Sequence, residues 1–340
     1  MRRLRDHVIL SNEAATVVAL WILFSWVHDT AAVHSPILLV TSAEPNSGKT
    51  TLLNLIGFLG QRAISTVGVS EAALFRSVER WTPLILVDEA DVILVDNEPL
   101  RAIVNSGYTR GIGVLRCIGD ANEPHSFPTF CPKALGMVGK RLPATTLSRA
   151  IVIELKRKRP DDKAKHFRCI DDPGLAELRQ QAMRWSLDAG EALKGVEPDM
   201  PTGFDNRRGD NYRLILAIAD LAGGDWPDQA REAAQRLSGA ADVSSTGTRL
   251  LADIRRAFDE TDADALASTD LLGKLTADAD GHWAEWKGGK PLTQAQLARL
   301  LAPYGISPER FWRERNRQRG CLRERFQDAW DRYLPPENEV

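Results

Sequence analysis

The segment TSAEPNSGKTTLL, residues 41–53, constrains this chain more than any other. It nearly repeats the pattern G-x-x-x-x-G-K-[ST]. Gly48, Lys49 and Thr50 fill the last three places, and Ala43 stands where the first glycine would be. Such a match carries weight only between a strand and a helix. Before it, PILLVTS (36–42) is short, apolar and partly β-branched, as a buried parallel strand reads. After it, Leu52, Leu53, Ile56 and Leu59 recur at helical spacing, and Gly60 is a natural stop. Backbone N–H groups at a helix start point at phosphate oxygens, and the helix dipole favours the anion. Ala43, Glu44, Asn46, Ser47, Gly48, Lys49, Thr50 and Thr51 are therefore expected to hold ATP. Lys49 would neutralise the β- and γ-phosphates, and Thr50 would offer its hydroxyl to Mg²⁺. Ala43 fits only with negative φ, and Pro45 stiffens the loop's mouth.

A second motif lies about 35 residues downstream. LILVDEAD (84–91) is an apolar strand ending in two acids. An acid at such a strand end holds Mg²⁺, and its neighbour polarises the attacking water, which assigns these roles to Asp88 and Glu89. The Asp-Glu pair resembles the AAA+ ATPases and related ring helicases. In that resemblance Arg149, just before the β-rich run AIVIEL, matches an arginine that reaches a neighbouring subunit's γ-phosphate. Arg213 matches a lid arginine that touches the nucleotide, with Arg207 and Arg208 as rivals. The alternative for each is an ordinary surface arginine. GVLRCI and SFPTF read as hairpin arms around a turn GDANEPH, and KALGMVG as the next core strand. The resemblance places a basic hairpin tip here, whereas this turn carries Asp120 and Glu123 with only His125 to offset them. It also places Asn or Thr after the core strand, where this chain has Gly139 and Lys140.

The formal net charge of −2 gives no global pull toward nucleic acid, so any such contact must be local. Cys117, Cys131, Cys169 and Cys321 show no C-x-x-C spacing, which argues against a zinc site and fits a reducing cytosol. MRRLRDH followed by VVALWILFSWV has the layout of a signal peptide. Its apolar run falls short of the ~20 residues a span needs. A buried helix capped near Ser11 or Asn12, with Glu13 in its first turn, is the preferred reading, with a cytoplasmic chain and no membrane partner.

Beyond Arg149 the chain reads as helical from about 170 to 240, with Gly223 and Gly224 ending one helix and Pro227 opening the next. LSGAADVSSTG (237–247) reads as a linker or exposed loop. TRLLADIRRAFDE, ASTDLLGKLTADAD and LTQAQLARLLAPYG follow as three amphipathic helices, the last capped by Thr293. Between 310 and 325 stand arginines 310, 313, 315, 317, 319, 323 and 325 against Glu314 and Glu324, with Phe311 and Trp312 beside them. Helices before a basic, turn-containing end suggest a winged helix on DNA. A protein-docking face is the rival. Trp283 and Trp286 read as core of this small domain.

Over nearly its full length the chain is similar to an uncharacterised family of ATPase-like domains in phage, plasmid and actinobacterial mobile-element proteins. That family often ends primase–helicase-type polypeptides. The resemblance rests on LW (20–21), SGKT (47–50), LVDEAD (86–91), NSGYTRG (105–111) and PKALGMVGKRLP (132–143). It continues through IELKRK, DNYRLILAIADLAGGDWP, GKPLTQAQLARLLAPYGI and FQDAWDRYL. The expectation is an α/β P-loop (AAA+-like) core over 1–158, a helical lid over 159–240 and a C-terminal winged-helix-like domain over 241–340. The resemblance implies an oligomeric, DNA-directed ATPase, a helicase or translocase in mobile-element replication. A hexamer and primase or replication partners are within its range. The competing readings are a nucleotide-switched origin-binding initiator or helicase loader, and an ATPase whose target is a protein.

Overall fold

The computed structural model describes residues 1–159, 161–167, 172–242, 246–278, 281–287, 289–313 and 316–334. It divides into two compact units, Met1–Ala241 and Asp242–Val340.

The first unit opens with α1 (Arg2–His7) and α2 (Asn12–Ala31). Ser11 caps α2 by accepting from the Ala14 N–H at 3.1 Å, and Glu13 lies in the first turn, where the helix dipole favours it. Among the described residues α2 is the one helix long and apolar enough to cross a membrane, and 67% of its apolar window is buried inside the fold. There follow β1 (Ile37–Ser42), α3 (Lys49–Leu59), β2 (Ala63–Thr66), α4 (Glu71–Trp81), β3 (Leu84–Val87), α5 (Ala90–Leu94) and α6 (Glu98–Ser106). Next come β4 (Gly113–Ile118), β5 (Glu123–Pro128), β6 (Lys133–Val138), α7 (Ala144–Leu147) and β7 (Ala150–Leu155).

Five of these strands form a parallel sheet in the order β2-β3-β6-β1-β7. The fold is thus mixed α/β around a central parallel sheet. Every residue of β1 is buried, because helices cover both faces. Leu38 and Val40 enter one core with α2 and α3, while Ile37 and Leu39 enter another with α4 and α6. Since the strands run parallel, all chain entries lie at one end of the sheet and all exits at the other.

β4 and β5 make a separate antiparallel hairpin, and here the expected turn is corrected. Glu123 and His125 do not sit at the tip: they pair with Ile118 and Arg116 inside the ladder. The turn closes over four residues because Gly119 (φ +67°) and Asn122 (φ +52°) both accept left-handed backbone. His125 is taken up by Glu79 on α4, 2.7 Å away.

The helices α8 (Pro173–Ala189), α9 (Asn206–Ala222) and α10 (Trp226–Asp242) complete this unit. Gly223, at φ +66°, ends α9. The linker expected at 237–247 is also corrected. Residues 237–242 continue α10, since alanines there are strong helix formers and Leu237 packs on the core. Residues 243–245 lie outside the described residues.

The second unit runs α11 (Thr246–Thr261), β8 (Ala265–Ala267), α12 (Ser268–Leu275), α13 (Gln294–Leu301), β9 (Glu309–Arg313), β10 (Asn316–Leu322) and α14 (Glu324–Tyr333). Its sheet is antiparallel, β8-β10-β9. Where a helix was expected across 267–280, Ala267 belongs to β8 and the helix stops at Leu275. Thr293 caps α13 in a reciprocal box with Gln296. The core gathers Phe258, Phe326 and Trp330 around Leu250 and Ile254. Trp283 is buried there with its indole N–H on Asp253 at 2.7 Å, and Trp286 packs against the same core. Cys117, Cys131 and Cys321 are free thiols. Cys169 lies outside the described residues.

Candidate functional site

The exit end of the sheet carries the loop between β1 and α3. Ala43 has no positive φ; the left-handed positions are Asn46 (φ +61°) and Gly48 (φ +89°). Asparagine tolerates that region and glycine pays no Cβ penalty in it, so the loop turns without a glycine at its mouth. The hydroxyls of Ser42 and Ser47 both donate to the Glu44 carbonyl, at 2.6 and 2.9 Å, and tie the loop across its neck. Within the described residues, no group accepts from the backbone N–H groups of Asn46 to Thr51. These six donors lie at a helix start, which is an anion-binding arrangement. Lys49 Nζ reaches back to Ser42 Oγ at 2.8 Å and lies over the same neck.

The acidic strand end meets this loop. The Thr50 hydroxyl donates to Asp88 Oδ2 at 2.6 Å, although 38 residues separate them. Gly136 on β6, the strand between β1 and β3, permits the approach. A Cβ there would stand 2.7 Å from Leu53 Cδ1 and 2.9 Å from Asp88 Oδ1. Asp88 Oδ1 also accepts the Glu89 N–H at 3.0 Å. Glu89 is exposed and holds a left-handed backbone (φ +55°), a strained state for a non-glycine residue that tends to mark functional positions. Thr50 and Asp88 offer hard oxygens of the kind Mg²⁺ takes alongside phosphate and water. Among the described residues no group of three or more His, Cys, Asp or Glu side chains is arranged to hold a metal.

Beside the loop opens a cleft of about 830 Å³. Its walls come from the first sixteen residues, from Asp162 and Lys163, and from α10, including Arg5, Ile9, Leu10, Gln229 and Arg236. It adjoins the loop because a Cβ on Gly48 would stand 3.4 Å from Val8 Cγ1, and Val8 lines the cleft. Arg236 is held there by Glu13 and by Glu232. Sequence reasoning missed these residues. They lie some two hundred positions apart on unremarkable helices, and only packing brings them together.

The entry end of the sheet is also polar. The Ile37 N–H donates to the Arg149 carbonyl at 2.9 Å, which fixes Arg149 where β1 begins. The loop before α3 begins where β1 ends, about 16 Å away at strand rise. The Arg149 and Arg207 guanidinium carbons sit 5.7 and 4.8 Å from the centroid of the same ring, Tyr108. Tyr108 is buried, and its hydroxyl donates to Asn211 at 2.9 Å; Asn211 in turn donates to the Ser148 carbonyl at 3.0 Å. Burial pushes the Tyr108 phenol up to about 12. Desolvation and then the adjacent Arg207 charge pull Arg149 below its ordinary value. Arg149 Nε is buried without a hydrogen-bond partner among the described residues. Neither guanidinium has a carboxylate partner among the described residues.

The structure therefore brings Lys49, Thr50, Asp88 and Glu89 together and leaves Arg149 and Arg213 apart from them. Arg213 was expected to touch the nucleotide, with Arg207 and Arg208 as rivals. It instead pairs with Glu197 at 2.6 Å and with Asp210 at 3.8 Å, near His34 at the entry end. The reason is that α9 starts there, tied by Asn211 to Ser148.

Comparison with known proteins adds a family without a chemistry. The sequence pattern of a family described as "Protein of unknown function (DUF3631)" matches residues 154–333. The match begins after the loop and both acids, so it says nothing of them. An "Uncharacterized 28.9 kDa protein in xis 5'region" of Saccharopolyspora erythraea is 35% identical over 186 residues, 53% of this chain and 69% of that protein.

Proposed function

This chain belongs to the DUF3631 family of proteins of unknown function, and from that premise we propose that it is an ATP-hydrolysing, AAA+-like P-loop ATPase acting on DNA. The observation that carries the reading is the convergence of Lys49, Thr50 and Asp88 over unpaired backbone donors at a helix start. In this reading Asn46 to Thr51 cradle the phosphates through their N–H groups, and Lys49 balances the β- and γ-phosphate charge. Thr50 and Asp88 hold Mg²⁺, which supplies further neutralisation of the phosphate oxygens. Glu89 orients the attacking water and takes its proton. The cleft lined by Leu10 and Gln229 receives the nucleoside.

The strand order, with the loop strand β1 between β6 and β7, supports an AAA+-like core. Arg149 at the entry end is too far to serve its own loop, which supports action on a second copy in an oligomer. The order α-β-α-α-β-β-α in the second unit supports a winged helix, with α13 as the element for a DNA groove. This is a helicase or translocase reading for mobile-element DNA. The acidic turn residue Asp120 favours a second reading, a nucleotide-switched initiator or loader that does not separate strands.

The test is ATP turnover by the whole chain, alone and with single- or double-stranded DNA, beside Glu89→Gln. Stimulation by single strands with a dead variant is expected. Slow turnover that DNA does not change, with ATP tightening duplex binding, would replace the motor by the switch. No nucleotide binding at all would remove both.

A further inference from the structure

The sequence marked a basic tail; the structure turns part of it into an ordered surface. In the β9–β10 hairpin Arg310 stands directly opposite Arg319, and Trp312 directly opposite Arg317. Side chains opposite one another, and those two apart along a strand, share a face. All four therefore lie on one face of the hairpin. Cys321 continues that face along β10, opposite Leu266, and both are buried in the core. Toward the turn the same face leaves the core: Arg310, Arg317 and Arg319 are exposed, and Trp312 is 72% exposed.

Two features of this face work against folding. Like charges directly opposite in a ladder are destabilising, and Arg310 faces Arg319. A large indole left in water forgoes the burial that Trp283 and Trp330 of the same unit obtain. Arg323 and Arg325 of the same tail are neutralised by Asp259 and Glu309. Arg310, Arg317 and Arg319 have no carboxylate partner among the described residues. Among the described residues Arg319 makes only a 3.4 Å bond to the Pro308 carbonyl. Glu314 and Arg315 lie outside the described residues, as does the side chain of Arg313.

We propose that this face binds single-stranded nucleic acid, with an unpaired base stacked on Trp312 and backbone phosphates on Arg310, Arg317 and Arg319. A polyanion resolves the Arg310–Arg319 repulsion, which a neutral partner does not. An exposed indole among guanidiniums is a stacking platform, and stacking needs a base whose face is free, which a continuous duplex does not offer. The proposal rests on the nucleic-acid half of the reading above and is independent of the nucleotide site.

The experiment measures affinity of the whole chain for a fluorescein-labelled 15-nucleotide oligo-dT and for a duplex of equal length, across a salt series. Wild type should prefer the single strand. Trp312→Ala should weaken it by about tenfold and Trp312→Phe by much less, because stacking needs only a ring face. Arg310→Gln with Arg319→Gln should flatten the salt dependence by roughly 0.7 per charge removed. Each side chain is exposed, so these changes leave folding intact; thermal melts check that. Preference for the duplex, or Trp312→Ala binding as wild type does, overturns the proposal alone. A wild type that binds no nucleic acid at low salt overturns it together with the DNA half of the functional reading. ATP turnover, measured on the same samples, reports separately on the nucleotide half.

Discussion

Gly48 and Ala43 show how much one backbone angle decides. Gly48 works at φ +89°, where a side chain is strained by about 1–2 kcal/mol, although a Cβ there would only touch Val8 at ordinary contact distance. Gly48→Val should abolish binding of a fluorescent ATP analogue. Ala43→Gly should leave affinity within about twofold, because no positive φ is needed there. A tenfold gain on Ala43→Gly would show that the loop's mouth is strained after all. His28 gives a second test at this scale. It is completely buried, bonded to Ser35 and stacked on Phe130, and burial pulls its pKa down to about 4. An unfolded histidine titrates near 6.5. Between these values the unfolded chain binds more protons than the native one, so stability rises with pH there. As pH falls from about 6.5 to about 4, His28 should remove on the order of 3 kcal/mol. Urea unfolding across that range should show the slope, and His28→Gln should lose most of it. An unchanged slope in the variant would assign the effect to other groups.

At the scale of elements, the two ends of the parallel sheet carry different chemistry. Donors and acids gather at the exits; two guanidiniums on Tyr108 gather at the entries. One chain cannot join them, since β1 lies between. Lys49→Ala and Arg149→Ala should therefore each be inactive alone, with arginine-finger losses on the order of 10³. Mixed together they should regain ATP turnover, because one copy then supplies the loop and its neighbour the arginine. A mixture as dead as its parts would show that Arg149 does not act across an interface. Arg213→Ala should leave nucleotide affinity within about twofold, since Glu197 and Asp210 hold it far from the loop. A large loss would place it at the nucleotide despite that.

For the molecule as a whole, the cores are separate. Every buried residue of the first unit's clusters lies before 240, and every one of the second unit's lies after 245. A chain ending at Ala241 and a chain starting at Asp242 should each fold with cooperative thermal unfolding and helical circular dichroism. Loss of that signal in either would show that one core depends on the other. The family match spans 154–333 and so takes in parts of both units.

Local pattern in the sequence was enough for β1, α3, β3, the Thr293 cap and the Lys49–Thr50 loop, and it left the α2 cap between Ser11 and Asn12. Each rests on neighbours within a few residues: apolar runs, a capping hydroxyl, a glycine free to turn. The hairpin tip and the end of α10 were misread for the complementary reason. Whether Glu123 joins a ladder depends on Ile118 across the hairpin, and Leu237 stays helical through its packing. Only the tertiary structure decided that Thr50 meets Asp88, that Arg207 joins Arg149 on Tyr108, and that Arg213 pairs with Glu197 near the entry end. Those distances follow from strand order and from where α9 begins, and a parallel sheet sets both through contacts between residues far apart in the chain.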